Sequence, residues 1–198
     1  MNYINLNLGF TPEYILSVRV DPRSAHYKAE QLNPVYHQVL DSIKAVPGVQ
    51  SASFATSELA AGPWLTSGIS IEGHPTVNQR IREVYVNPSY FSTVGMHLVS
   101  GRLFDGHDTA PKPIAAVINQ TAAQKYFPGE SSLGRRFGNG ATNFEVIGVV
   151  DDARIADVHE SVVPIAFNSL EQSTQYANSL EIRAQGSRAK SNNRSERP

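Results

Sequence analysis

Apolar and polar positions fall into short periodic segments along this chain. Residues 14–20 (YILSVRV) alternate at period two, as a half-buried strand does, and Asp21-Pro22 ends the run. Leu32, Val35, Tyr36, Val39, Leu40, Ile43 and Val46 then recur at the helical period. They predict an amphipathic helix stopped by Pro47-Gly48. Pro34 is awkward if that helix starts near Ala25, so the pattern predicts a kink there or a late start capped by Asn33. Residues 49–55 alternate again. The opening unit is therefore strand–helix–strand, a crossover that makes two parallel strands and is nearly always right-handed. Residues 56–66 read as a loop of small residues holding the only tryptophan, Trp64. Short strands follow at 68–72 and 79–86, with a turn between them.

The stretch 84–137 runs through one pattern twice. A short apolar strand meets an Asn, then a short helix carries a Tyr-Phe pair, and a Gly-Arg element closes on Phe. The first pass uses Asn87, Tyr90-Phe91 and Gly101-Arg102-Leu103-Phe104. The second uses Asn119, Tyr126-Phe127 and Gly134-Arg135-Arg136-Phe137. Asn after a strand can accept from the free amides of a helix, and Pro88 suits a first helical position. Pro128-Gly129 cannot continue the second helix. The aromatic pairs read as packing that locks each helix onto the strand before it.

Beyond the repeat, residues 144–150 (FEVIGVV) make the clearest strand, closed by Asp151-Asp152. Residues 155–162 are irregular, and 164–168 and 180–184 read as two further strands. From Gly186 onward, apolar residues are scarce and a disordered tail is expected over 186–198. Residues 1–12 read as a frayed lead-in. The sum is an α+β protein of two parts: a βαβ-based layer from both chain ends, 10–57 plus 140–185, and an inserted small α/β part, 58–139.

Composition narrows the function. With 40% hydrophobic and 18% charged residues, 198 residues can bury a sizeable core. The net charge of −1 gives no electrostatic case for nucleic acid. There is no cysteine, which excludes disulfides and thiolate chemistry without fixing the compartment. The start MNYINLNLGF lacks the basic and apolar regions of a signal peptide. No apolar run approaches the ~20 residues of a membrane helix.

Candidate chemistry is sparse. None of the six histidines has the i, i+4 partner of a helical zinc pair. Asp105-Gly106-His107-Asp108 reads as a solvated acidic turn rather than a metal loop. Asp151 and Asp152 read as a strand stop rather than an acid–base pair. Gly138-Asn139-Gly140 lacks the third glycine of a dinucleotide fingerprint and precedes a strand instead of following one. No serine elbow or phosphate loop is present. No catalytic residue, metal ligand or cofactor is assigned. Trp64, in a loop of small residues, is a candidate partner anchor or a lid over an apolar edge. Arg135 and Arg136 are candidate contacts for an acidic partner, or solvated arginines with stems along a helix.

The phrases NPSYFSTVGMHLVSGRLF, AVINQTAAQKYFPGESSLGRRF and EVIGVVDD resemble the extracytoplasmic core domain of MacB-like and FtsX-like ABC transporter permeases, of the acidobacterial type. GFTPEYILSVRVDP and KAVPGVQSASFAT extend the likeness from about residue 10 to 186. The resemblance implies a porter-like layer from the two ends and a Sabre-like insert in the middle. It implies a periplasmic location on the inner membrane, with membrane spans flanking this segment and absent from it. It also implies a helix and a last strand after residue 186, which the tail does not supply. The implied role is non-catalytic: movement driven by a separate ATPase subunit reaches the domain, which contacts substrate, a periplasmic adaptor protein or a second permease copy. The rival expectation is a stand-alone binding module, or a truncated permease fragment without transport activity.

Overall fold

The computed structural model describes residues 11, 13–59, 64–65, 68–74, 80–109, 113–139, 143–153 and 161–186. Most of the expected lead-in and tail, and most of the irregular stretch at 155–162, lie outside these residues. The first half holds β1 (Ile15–Arg19), α1 (Ala29–Lys44), β2 (Val49–Ala55), β3 (Trp64–Leu65), β4 (Ser70–Ile71), β5 (Arg82–Val86), α2 (Tyr90–Val94) and β6 (Leu98–Gly101). The second half holds β7 (Ile114–Asn119), α3 (Gln120–Tyr126), β8 (Arg136–Gly138), β9 (Phe144–Val150), β10 (Ile165–Ser169) and β11 (Ser179–Ala184).

All the strands join one mixed sheet in the order β1-β11-β2-β5-β10-β7-β9-β8-β4, with β3 added to β5 and β6 to β9. The fold is α+β with few helices, as the sequence predicts. The opening unit differs in one respect. β1 and β2 do run in the same direction, but they are not neighbours: β11 lies between them, antiparallel to both. The last strand of the chain fills the gap that the α1 crossover spans, a split βαβ unit. The sequence blocks also interleave. β5 and β7, from 58–139, pair with β10 and β9, from 140–185.

Strand alternation sorts the side chains into two faces. On one face, Val84 and Val86 of β5, Ala115 and Val117 of β7, and Ile165 and Phe167 of β10 pack with Tyr90, Phe91 and Val94 of α2. On the other, Ala116 and Ile118 of β7 and Ala166 of β10 pack with Ala122 and Tyr126 of α3. The opposite-facing Ala52 and Phe54 of β2 pack with Leu32, Tyr36 and Leu40 of α1. The two passes of the sequence pattern thus cover opposite faces: Phe91 and Phe104 in one core, Phe127 and Phe137 in the other.

Two expected helix caps are corrected. α1 neither starts late nor uses Asn33 as its cap. It begins at Ala29, where the Gln31 side chain accepts from the Lys28 amide at 2.9 Å. Pro34 sits inside the helix, and Asn33 Nδ2 instead donates to the Glu171 carbonyl at 3.0 Å. Asn87 does not cap α2, whose N-cap is Ser89, and Pro88 precedes the helix. Asn87 Oδ1 accepts from the Phe54 amide at 3.1 Å and so ties β5 to β2 where their pairing ends. Asn119 does cap α3, accepting from the Ala122 amide at 3.0 Å.

Candidate functional site in the groove over β5 and β10

β10 and its neighbour β5 lie mid-sheet, and β10 is buried along its whole length. On the face shared by α1 and α3, β5 presents Glu83 and Tyr85 and β10 presents Asn168 where apolar residues would be expected. Tyr85 touches both the α1 core and the α3 core. There the chain leaves a cavity of about 330 Å³, floored by Glu83 and Tyr85. Arg23, Thr56, Tyr176 and Asn178 form its walls.

The walls are fixed by the backbone. Thr56 and Tyr85 exchange two bonds: the Thr56 amide donates to the Tyr85 carbonyl, and the Tyr85 amide donates to Thr56 Oγ1, each at 3.0 Å. Asn178 Nδ2 donates to the Thr56 carbonyl at 3.3 Å. Tyr176 donates its hydroxyl to the Tyr27 carbonyl at 2.8 Å, and the Arg23 guanidinium lies 4.9 Å from the centre of its ring.

The floor is polar and under-partnered. Glu83 has no ion-pair partner among the described residues. Its one polar contact there is Asn168 Nδ2 at 3.5 Å, the outer limit of a hydrogen bond. Burial raises its carboxyl above the usual glutamate range. Tyr85 is pushed up to about 12 by burial and by the Glu83 charge. Asn168, which is fully buried and does not itself line the cavity, has no donor to its Oδ1 among the described residues. The arrangement can accept hydrogen bonds and positive charge; it offers no nucleophile–base pair.

The residues singled out from sequence lie elsewhere. Trp64 belongs to β3 rather than to a loop, and its backbone pairs opposite Glu83 at the rim of this region. Arg135 lies just before β8 and Arg136 starts it, toward the far end of the sheet and not along a helix. Arg135 pairs with Glu130 at 3.2 Å and meets His74 Nε2 at 3.0 Å; Arg136 lies 3.5 Å from Glu145. Trp64 and the arginine pair are not brought together. The Asp105–Asp108 turn closes on itself. Arg102 grips the buried Asp108 through its two terminal guanidinium nitrogens, at 2.7 and 2.8 Å, and Asp108 also accepts from the Asp105 amide. Asp151 meets His97, while Asp152 accepts from the amide and hydroxyl of Thr121 in the first turn of α3. Among the described residues no three His, Cys, Asp or Glu side chains converge on a metal position.

Glu83, Tyr85, Arg23 and Tyr176 were not legible as a site. In the strand REVYV the alternation marks Val84 and Val86 as inward, so Glu83 and Tyr85 read as the solvent face. The only signal was indirect: α1 and α3 both cover that face, which makes a glutamate there costly.

Comparison with known proteins fits the fold. The model of the MacB-like periplasmic core domain matches residues 9–192. The periplasmic region of MacB from Actinobacillus actinomycetemcomitans superimposes with a TM-score of 0.60 at 18% identity, covering 90% of this chain and 78% of that one. The extracellular domain of the noncanonic ABC-type transporter YknZ from Gram-positive bacteria gives 0.53 at 18% identity, with 87% and 83% covered. A domain of a putative permease from Porphyromonas gingivalis gives 0.50 at 19% identity, with 75% and 68% covered. No curated protein matches the chain. Among the described residues no helix is long and apolar enough to cross a membrane. With the match spanning nearly its whole length, the chain belongs to the MacB-like periplasmic core domain family of ABC transporter permeases.

Proposed function

We propose that this chain is a non-catalytic periplasmic domain of an ABC-type export permease, and that it relays ATP-driven movement from flanking membrane helices to substrate or to a periplasmic adaptor. One observation carries the reading. The first and last strands are antiparallel neighbours, from Ile15 opposite Arg183 to Arg19 opposite Ser179. The chain therefore enters and leaves the sheet side by side, where two membrane spans would pull on the same edge. Arg183 strengthens that junction. Its guanidinium donates to the carbonyls of Thr11 at 2.7 Å and Glu13 at 3.1 Å, just ahead of β1, and to Thr93 at 2.7 Å near the end of α2.

A cytosolic ATPase subunit and a second permease copy complete the proposed assembly. Trp64, Arg135 and Arg136 remain proposed contacts for its partners. The two-part division, 10–57 plus 140–185 against 58–139, is also a proposal. It is supported by the α1 core, whose buried residues all come from the two ends of the chain. The test is an intact permease carrying Arg183→Ala. ATP hydrolysis is expected to continue while export falls. Export at the unmodified rate would reject the relay.

A further inference from the structure

The groove holds two opposite charges that do not neutralise each other. Glu83 lies on the floor with its acceptor capacity almost unused. Arg23 forms part of the wall of the same cavity, makes no ion pair among the described residues, and is steadied by the Tyr176 ring. A partly buried carboxylate without a counter-charge is costly, and the strand could carry an apolar residue at that position. A guanidinium stacked on an aromatic ring is pre-organised and keeps its planar fork of donors for a carboxylate. A divalent cation would need several oxygen ligands, and the floor supplies one carboxylate. The cavity, about 330 Å³, is at the small end of ligand pockets.

We propose that the groove between the α1 and α3 cores binds a small zwitterion of amino-acid size, its ammonium against Glu83 and its carboxylate against Arg23. The three N–H donors of a primary ammonium match the unused lone pairs of Glu83. Tyr85 and Tyr176 line the same cavity, so aromatic carbon is at hand for the stem of such a ligand. The inference goes beyond the relay of movement and does not depend on it: a chain that relays nothing can still hold the ligand, and the reverse.

The test is an NMR titration of the isotope-labelled chain with ω-amino acids from glycine to 5-aminopentanoate, which also reads out the spacing of the two charges. At least one is expected to shift the backbone amides of Glu83, Tyr85 and Asn178, with a dissociation constant of ~10 mM or tighter. The N-acetylated and the carboxamide forms of that ligand, which each lack one charge, are expected to bind at least about tenfold more weakly. Glu83→Gln and Arg23→Gln are expected to weaken binding to the same extent. Arg23 is on the exposed rim, so its replacement leaves the core intact, and an unchanged amide spectrum elsewhere checks both variants. No shift with any member of the series would overturn the proposal. So would equal binding of the acetylated form, or undiminished binding by Arg23→Gln.

Discussion

Gly101 and Gly148 stand opposite each other where β6 crosses β9, and neither has room for a methyl group. A Cβ on Gly148 would lie 2.2 Å from the Arg102 carbonyl oxygen, and one on Gly101 would lie 2.3 Å from that of Ile147. Gly101 also has φ +76, in the left-handed region. The nearest neighbour in both cases is a backbone carbonyl, which cannot swing aside. Gly148→Ala is expected to cost about 1–3 kcal/mol or more, as overpacking does. In a thermal melt this is a fall of roughly 3–10 °C for a chain of this size. An unchanged melt would show that β6 can lift away from β9 freely.

Phe91 and Phe127 occupy equivalent places in the sequence pattern but anchor different faces of the sheet. Phe91 is fully buried, with ring centres 5.1 Å from Phe167 and 5.8 Å from Phe104. Phe127 is 4% exposed at the end of α3. Each Phe→Ala change is expected to cost about 3–5 kcal/mol in denaturant unfolding. The double variant is expected to be close to additive, because the sheet separates the two sites. Strong coupling between them would contradict that separation.

Asn119 and Asn87 should part company on mutation. Asn119 is fully buried; Oδ1 accepts from the amides of Ala122 and Ile165, and Nδ2 donates to the Val163 carbonyl. Asn119→Ala leaves three backbone groups without partners, at about 1–3 kcal/mol for each that stays buried. Asn87 serves one buried amide, that of Phe54. Equilibrium unfolding in urea should therefore show Asn119→Ala as the more damaging change. The reverse order would undo the reading of Asn119 as the pin between β7, α3 and β10.

Glu181 makes stability depend on pH. It is fully buried on β11, and burial raises its carboxyl, partly offset by hydrogen bonds from Ser179 and Ser17. A raised pKa in the folded state means that folding favours the protonated form. Its contribution is complete below the ordinary glutamate value of about 4.3 and is lost as pH rises through the raised value. Glu83, also raised by burial, acts in the same direction. Glu181→Gln is expected to flatten the fall in melting temperature as pH rises above the ordinary glutamate value, and to leave the variant more stable than the parent once the parent's carboxyl is ionised. Melts with the same slope in both proteins would show that this carboxyl is not felt.

The sequence yielded local structure well where periodicity was undivided. Residues 49–55 and 144–150 lie between clean turn signals, and both strands begin and end where expected. β6 and β8 were legible only as Gly-Arg elements, since β6 is exposed throughout and β8 is three residues long. β3 has two residues and exists through its pairing with β5, which no local pattern encodes. Asn87 and Asn119 look alike in sequence, but β2 supplies a partner for the first that competes with the helix cap. The place of β11 between β1 and β2 depends on contacts more than a hundred residues apart along the chain. The groove was hidden for the same reason: Glu83 acquires its meaning only when two distant helices cover its face.

The strand order has a mechanical corollary. From β1 to β4 the path crosses nine strands, and at about 4.8 Å per step it spans roughly 38 Å. β1 and β11, the first and last strands among the described residues, lie together at one side of that span, and β8 and β4 lie at the other. Under the proposed relay, with the plate turning as a unit, a tilt of about 10° at the β1 side would carry the β4 side through roughly 7 Å. The gain comes from the breadth of the sheet alone, with no hinge inside it.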